Sequence, residues 1–439
     1  MLTLQILLAL LALTAGPVLL WRRRDNVFGY IAAGFFVATY LIPLAPTLAT
    51  RRLDRPTLVL YADILALGAA ATLAGLWLGG QIGARSANRA PFTFGGHGPI
   101  EGERAALVAG RARRLAVIGI LALAAAFALM HYVPYFAADR TAAKYGVGPY
   151  RVSFLRGAVL YRFGLAMAAA ILPVLLAVWW RWRRPLDLLL AAAAVAGLLL
   201  SLSRESAFLG PLVFVVGVAV ERRMRPAFIT GVVVVAFSLG ALLSLALLQN
   251  GDQPTAVAGR IASSAPDVRD HLGFLEGFGK RGEPTYGRTI LAGLSLSPGP
   301  WDPSSYALHT LTGFRDFSDF ASGGLRLPAP IWGYASFGWA GVAMFSALSG
   351  VFAGWGLVKV RRLLGPALGV PGFALNLAVA YVFYEGTFAV LSEFYFLTSS
   401  VVVRAGVAVA LGLAVRIALV RAPGAPGPRR PARLAAAHG

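Results

Sequence analysis

Between His309 and Arg326 the chain gathers one imidazole, two carboxylates (Asp316 and Asp319) and two guanidiniums (Arg315 and Arg326), interleaved with Phe314, Phe317 and Phe320. A guanidinium presents a planar fork of donors that matches phosphate oxygens. An imidazole near neutrality, or a carboxylate, can take a proton from a hydroxyl. A second set lies in "LLLSLSRESAFLGPLVFVVG" (198–217), where Arg204 and Glu205 interrupt an apolar run. An arginine beside a helix N-terminus suits an anion, because fork and dipole act together. A third set, "ADRTAAKYGVGPYRVSFLRG" (138–157), adds Arg140, Lys144, Arg151 and Arg156. The chemistry these residue types imply is capture of a phosphate or diphosphate by Arg204, Arg315, Arg326 and Arg151, with His309, Glu205 and Asp316 as unranked candidates for the base. The plain alternatives are arginines that snorkel to fix helix depth and aromatics that anchor the chain at an interface. No metal is expected: there is no cysteine, and His271 and His309 lack ligand spacing.

The elements that must position these residues are apolar. Of 439 residues, 58% are hydrophobic and 13% charged, about half the charged share of a soluble domain. Runs of about 20 apolar residues, each long enough to cross a bilayer, recur along the chain. The reading is an all-α, polytopic membrane protein of about eleven spans, near 2–21, 27–48, 57–79, 115–137, 158–180, 185–202, 206–220, 227–248, 336–358, 366–384 and 400–420. The first run lacks a basic region before it and carries "RRRD" after it, so it reads as a retained span. In domain terms, 1–248 holds eight spans, 249–335 is one large extracytoplasmic loop, 336–420 holds three spans, and 421–439 is a disordered basic cytoplasmic tail.

The net charge of +21 is mostly arginine in short clusters at the ends of apolar runs. That is topology control rather than a nucleic-acid surface. "RWRR" (181–184), "ERRMR" (221–225) and "KVRR" (359–362) are placed in the cytoplasm, and the near-neutral 249–335 outside, with the N-terminus out and the C-terminus in. "RRLDR" (51–55) objects, since it falls outside while carrying positive charge. From Pro185 to Val220 the apolar run is too long for one span and is expected to fold as a hairpin at "SRES", with Ser203 and Ser206 suited to capping. The segment 256–284 is expected to form one or two amphipathic helices lying on the membrane.

With these residues in view, the chain resembles bacterial oligosaccharide repeat-unit polymerases of the O-antigen polymerase type. "SLSRESAFLG" looks like that family's Ser-Arg-rich turn, and "YGRTILAGLSLSPGPWDP" like its Tyr-Gly segment leading to a Pro-Trp-Pro-type turn. "LPAPIWGYASFGWAGVAMFSALSGVFAGWG" is similar to its glycine-rich return to the membrane after the large outer loop. The likeness covers about 185–362 in order. It departs before Phe337–Gly338, where "IWGY" stands in place of an acidic residue.

The resemblance implies a metal-independent, cofactor-free glycosyltransferase in the plasma (inner) membrane, acting on polyprenyl-pyrophosphate-linked oligosaccharides, with a chain-length regulator and a flippase as partners. Leaving-group stabilisation would then fall to cations aimed at the developing charge. Two other functions share parts of this pattern. One is an O-antigen ligase-type transferase, faintly echoed by "HTLTGF" (309–314). The other is a transporter or flippase without chemistry, kept open by Asp63, Arg162, Glu385 and Glu393 within or near spans.

Overall fold

A computed structural model describes residues 2–20, 26–41, 44, 55–85, 100–248, 267–293, 299–313, 325, 327–367 and 371–421. The described residues are all-helical, with no strand. The helices are α1 (Leu2–Leu20), α2 (Val27–Phe35), α3 (Arg55–Arg85), α4 (Gly102–Met130), α5 (Arg140–Tyr145), α6 (Arg151–Trp182), α7 (Pro185–Leu200), α8 (Arg204–Glu221) and α9 (Pro226–Leu248). After residues 249–266, which lie outside the description, come α10 (Asp267–Arg281), α11 (Arg288–Ala292), α12 (Pro303–Thr312), α13 (Ala329–Leu364), α14 (Phe373–Tyr384) and α15 (Ser399–Arg421). A π-turn, Phe36–Leu41, continues α2; another, Glu385–Ala389, extends α14 toward Ser392. Among the described residues, five stretches are long and apolar enough to cross a membrane: α3, α4, α6 with the turn before it, α13, and Phe373–Ser392. Five of the six other expected stretches hold a shorter apolar helix among the described residues: Leu2–Thr14, Pro185–Leu200, Ser206–Glu221, Pro226–Ala236 and Val401–Leu413.

Small residues let these helices approach closely, as apolar surroundings favour. On α3, Gly75 and Gly79 lie against α13 so tightly that an added Cβ would stand 2.1 Å from the Ala347 carbonyl oxygen and 2.0 Å from that of Val351. Gly350 and Gly354 return the contact, with the carbonyls of Thr72 and Leu76 at 2.3 Å from their Cβ positions. On α4 and α6 the same device recurs, at Gly119 against Met167, Gly157 against Ala126 and Gly164 against Leu123.

Interatomic contacts align the helix ends. Arg181 of α6 donates to the Ile100 carbonyl at 3.3 Å, and Arg362 of α13 to the Ala84 carbonyl of α3 at 3.0 Å. The Glu221 carboxylate of α8 accepts from the Ala374 N–H at 3.2 Å, capping α14. The segments 181–184, 221–225 and 359–362 are thereby grouped at one end of the bundle. Arg55 begins α3 at the opposite end, where the start of α3 meets α10.

Three local expectations change. Helix α4 starts at Gly102, not near 115, so Arg104, Arg111, Arg113 and Arg114 are helical rather than loop residues. One reason is on α7: Arg113 grips Asp187, with Nε–Oδ1 at 2.6 Å and Nη2–Oδ2 at 3.0 Å, and Asp187 is fully buried. The α7–α8 hairpin forms, but Ser203 makes no side-chain cap. The turn closes instead through backbone bonds from Ser203 N to Leu198 O and Leu202 N to Leu199 O, with Leu202 left-handed at φ 57°. Finally, the 335/336 boundary falls inside α13, one residue before a break at Phe337 and Gly338.

Candidate functional site

The break in α13 shapes the site. Gly338, at φ 59° and ψ −143°, adopts a backbone that side-chain-bearing residues avoid, and the helix turns back there. Residues 329–336 fold against the following span, with an added Cβ on Gly333 only 2.2 Å from the Gly341 carbonyl oxygen. Pro330 of this half-helix reaches Gly68 of α3 and lies near Ser346. Pro328 O accepts from Ile331 N at 3.0 Å and Trp332 N at 3.2 Å, so two donors of the first turn are met from within the protein, and Pro330 has no N–H to offer.

Helices α10 and α12 pack against this half-helix through Phe274 and Tyr306, and α10 also meets the start of α3. Val268, His271, Leu272 and Leu275 recur at the spacing of one helical face, and all are buried. Helix α10 thus buries its stripe in the protein rather than lying on a membrane. Within that stripe His271 is fully buried, and its Nδ1 hydrogen-bonds the Tyr61 hydroxyl of α3 at 3.0 Å. Tyr40 stands nearby, with ring centres 6.5 Å apart.

An aromatic cluster joins the elements: Phe274, Tyr306 and Trp332 have centroids 6.2 to 6.3 Å apart, and Trp301 stacks on Tyr306 at 5.8 Å. Helix α12 is begun by Asp302, whose Oδ1 accepts from Ser304 N and Ser305 N at 3.0 and 3.1 Å. Its far end is held by Arg281, which donates to the Thr310 and Leu311 carbonyls at 2.9 Å each. The Tyr306 hydroxyl donates to Glu283 O at 2.7 Å, and burial pushes its pKa well above the usual phenol value. Thr285 ties the segment to the half-helix, its N–H donating to Ala335 O at 2.9 Å and its hydroxyl bonding Ser336 at 2.8 Å.

The outer faces are cationic and greasy together. Arg269, Lys280, Arg281 and Arg288 are exposed, and Arg288 stacks over Trp301 at 4.8 Å. Beside them Tyr286, Phe337 and Trp339 are 64%, 42% and 47% exposed. A groove between α1 and α3, lined by Leu4, Leu8, Ala9, Ala12, Ala66 and Ala69, runs below, with Gln5 bonded to Asp63 at 3.4 Å. Such a surface can hold an anion whose other end is apolar.

Of the residues expected from sequence, His309 lies in the last turn of α12 and is partly buried. Arg151 is exposed at the first turn of α6, on the segment that also carries Arg140 over Tyr135 at 5.1 Å. Arg204 and Glu205 open α8, and only their backbone is described. The turn before them is held by Tyr161, whose hydroxyl donates to the Ser201 carbonyl at 3.0 Å. Arg315, Asp316 and Arg326 lie outside the described residues, as does Asp319. His271, Tyr61, Arg281 and Arg288 were not singled out. The signal for His271 was legible as a histidine inside the apolar stripe of α10. Among the described residues no group of acidic and histidine side chains is arranged to hold a metal.

No protein-family model matches the chain, and neither does any curated protein or solved structure.

Proposed function

We propose that the chain is an eleven-span plasma-membrane glycosyltransferase that joins polyprenyl-pyrophosphate-linked oligosaccharide repeat units into surface polysaccharide on the outer face. The observation that carries this reading is the subdomain of α10, α11, α12 and the half-helix. It combines exposed guanidiniums with exposed rings and an adjoining apolar groove, which suits a diphosphate tethered to a long hydrocarbon. The ordered motifs from 185 to 362 support the same class. In the reaction, guanidiniums would receive the charge developing on the departing diphosphate, and a base would take the proton of the acceptor hydroxyl. Arg204, Arg315, Arg326 and Arg151 are assigned to the first task; His309, Glu205 and Asp316 remain the candidates for the second.

A transporter reading draws on the broken helix α13, since discontinuous helices often bind ions through free backbone groups. Here Pro328 O already takes the Ile331 and Trp332 N–H groups and Pro330 has none, which favours the transferase.

The test is polysaccharide length in cells. Arg204→Gln should abolish long chains while the protein reaches the membrane at parental level, and Arg204→Lys should retain part of the activity, having kept charge without the fork. Normal chain length in Arg204→Gln removes Arg204 from the site. Deletion of the gene should leave single repeat units attached to their acceptor. Free lipid-linked polymer would instead mark a ligase, and failure to deliver any repeat unit outward a flippase.

A further inference from the structure

The end of the bundle opposite α10 carries a cluster that the proposed reaction does not use. Arg183 lies over Trp180 at 4.0 Å and over Trp179 at 4.8 Å, and Arg222 lies over the same Trp180 at 4.8 Å. Arg181 lies over Trp182 at 5.4 Å. Two guanidiniums are therefore held on one indole, both exposed, where like charges repel. The carboxylates close by in sequence are engaged elsewhere: Asp187 with Arg113, and Glu221 with the Ala374 N–H. Among the described residues neither Arg183 nor Arg222 has an ion pair.

The backbone adds to this. Arg183 and Arg223 follow α6 and α8 in the left-handed conformation, φ 55° in each, positions that glycine fills without strain. Arginine stands at both. Exposed apolar side chains follow the charges along the chain: Leu186 and Leu189 after Arg183 are 52% and 66% exposed, and Phe228 after Arg225 is 57% exposed.

We propose that this arginine–tryptophan cluster binds the phosphate headgroups of anionic phospholipids, with the acyl chains lying along Leu186, Leu189 and Phe228. An acidic protein segment would complement the charge but would leave those side chains uncovered. A phospholipid supplies both halves, with the arginines preorganised on indole faces. The inference stands whether or not the chain transfers sugars.

The test uses the purified full-length protein in phosphatidylcholine micelles, titrated with short-chain phosphatidylglycerol and read by thermal unfolding and by lipid retained on the protein. Phosphatidylglycerol should raise the midpoint where added phosphatidylcholine does not. Arg183→Gln with Arg222→Gln should weaken the apparent affinity roughly thirtyfold, while Arg55→Gln, exposed at the other end, should leave it unchanged. Arg183→Gly suits the left-handed backbone, so it should fold as well as the parent and still weaken lipid binding. Equal response to both lipids, or an undiminished preference in both arginine variants, overturns the proposal. So does an equal effect of glycerol phosphate, which has no acyl chain, or displacement of the lipid by an acidic peptide at similar concentration.

Discussion

At the scale of single residues, the most constrained polar contact is Tyr61 with His271. Both side chains are fully buried, and the bond joins α10 to a membrane helix 210 residues away in sequence. Removing either side chain takes a buried hydrogen bond from the other. Tyr61→Phe should therefore destabilise the protein by about 1–3 kcal/mol. Combining it with His271→Leu should recover part of that loss, because both polar groups then leave together. Thermal unfolding of the two singles and the double measures the coupling; simple additivity would show that the pair does not act as one. This is also where reading from sequence stopped short. His271 was visible as a histidine with apolar neighbours three and four residues away, but placing α10 on a membrane surface turned that stripe outward. What decided its direction was Tyr61, and a partner so distant in the chain leaves no local trace. His309 and Arg151 read as loop residues in the sequence, whereas the structure sets them at a helix end and a helix start. Their chemical neighbours could not be read there.

At the scale of elements, the apolar periods marked helices well, and their ends less well. Helix α4 begins at Gly102, and about three turns in its Arg113 finds Asp187, a pairing between two helices that outranks the local charge pattern. Glycines mark the close crossings. The Gly75 and Gly79 spacing on α3 and the Gly350 and Gly354 spacing on α13 put one small residue per turn along the shared seam. Gly79→Ala must push a methyl group into the Val351 carbonyl, whose oxygen would be 2.0 Å away. That should cost about 1–3 kcal/mol as α3 and α13 part. Gly110→Ala on α4 meets nothing within 4 Å, and should be neutral or stabilising by up to about 1 kcal/mol through helix propensity. Thermal midpoints of the two variants separate a packing requirement from a general intolerance of added methyls. Equal losses would count against the seam.

At the scale of the whole molecule, the arrangement of helix ends carries a topology. Contacts among Ala84, Ile100, Arg181, Glu221, Arg362 and Ala374 gather the ends of α3, α6, α8 and α13 with the start of α14. The start of α3 meets α10 at the other end. If the bundle crosses a bilayer, residues of α10 and α11 and residues near 184 and 225 must face opposite compartments. The excess of arginine in short connections then assigns the latter to the cytoplasm. The basic residues near 55 argue the other way, and the segment from α10 to α11 carries both signs, with Asp270, Glu276 and Glu283 among Arg269, Lys280, Arg281 and Arg288. The chain has no cysteine, so one introduced thiol is unique in the protein. Lys280→Cys and Tyr286→Cys should react with a membrane-impermeant maleimide on intact cells. Arg184→Cys and Arg225→Cys should react only after permeabilisation. Labelling of all four from the same side would contradict the bundle as a membrane-crossing unit. Inverse labelling would keep the bundle but place the α10 subdomain in the cytoplasm, where a polyprenyl-linked repeat unit awaiting outward polymerisation is not presented, and the proposed reaction would fall with it.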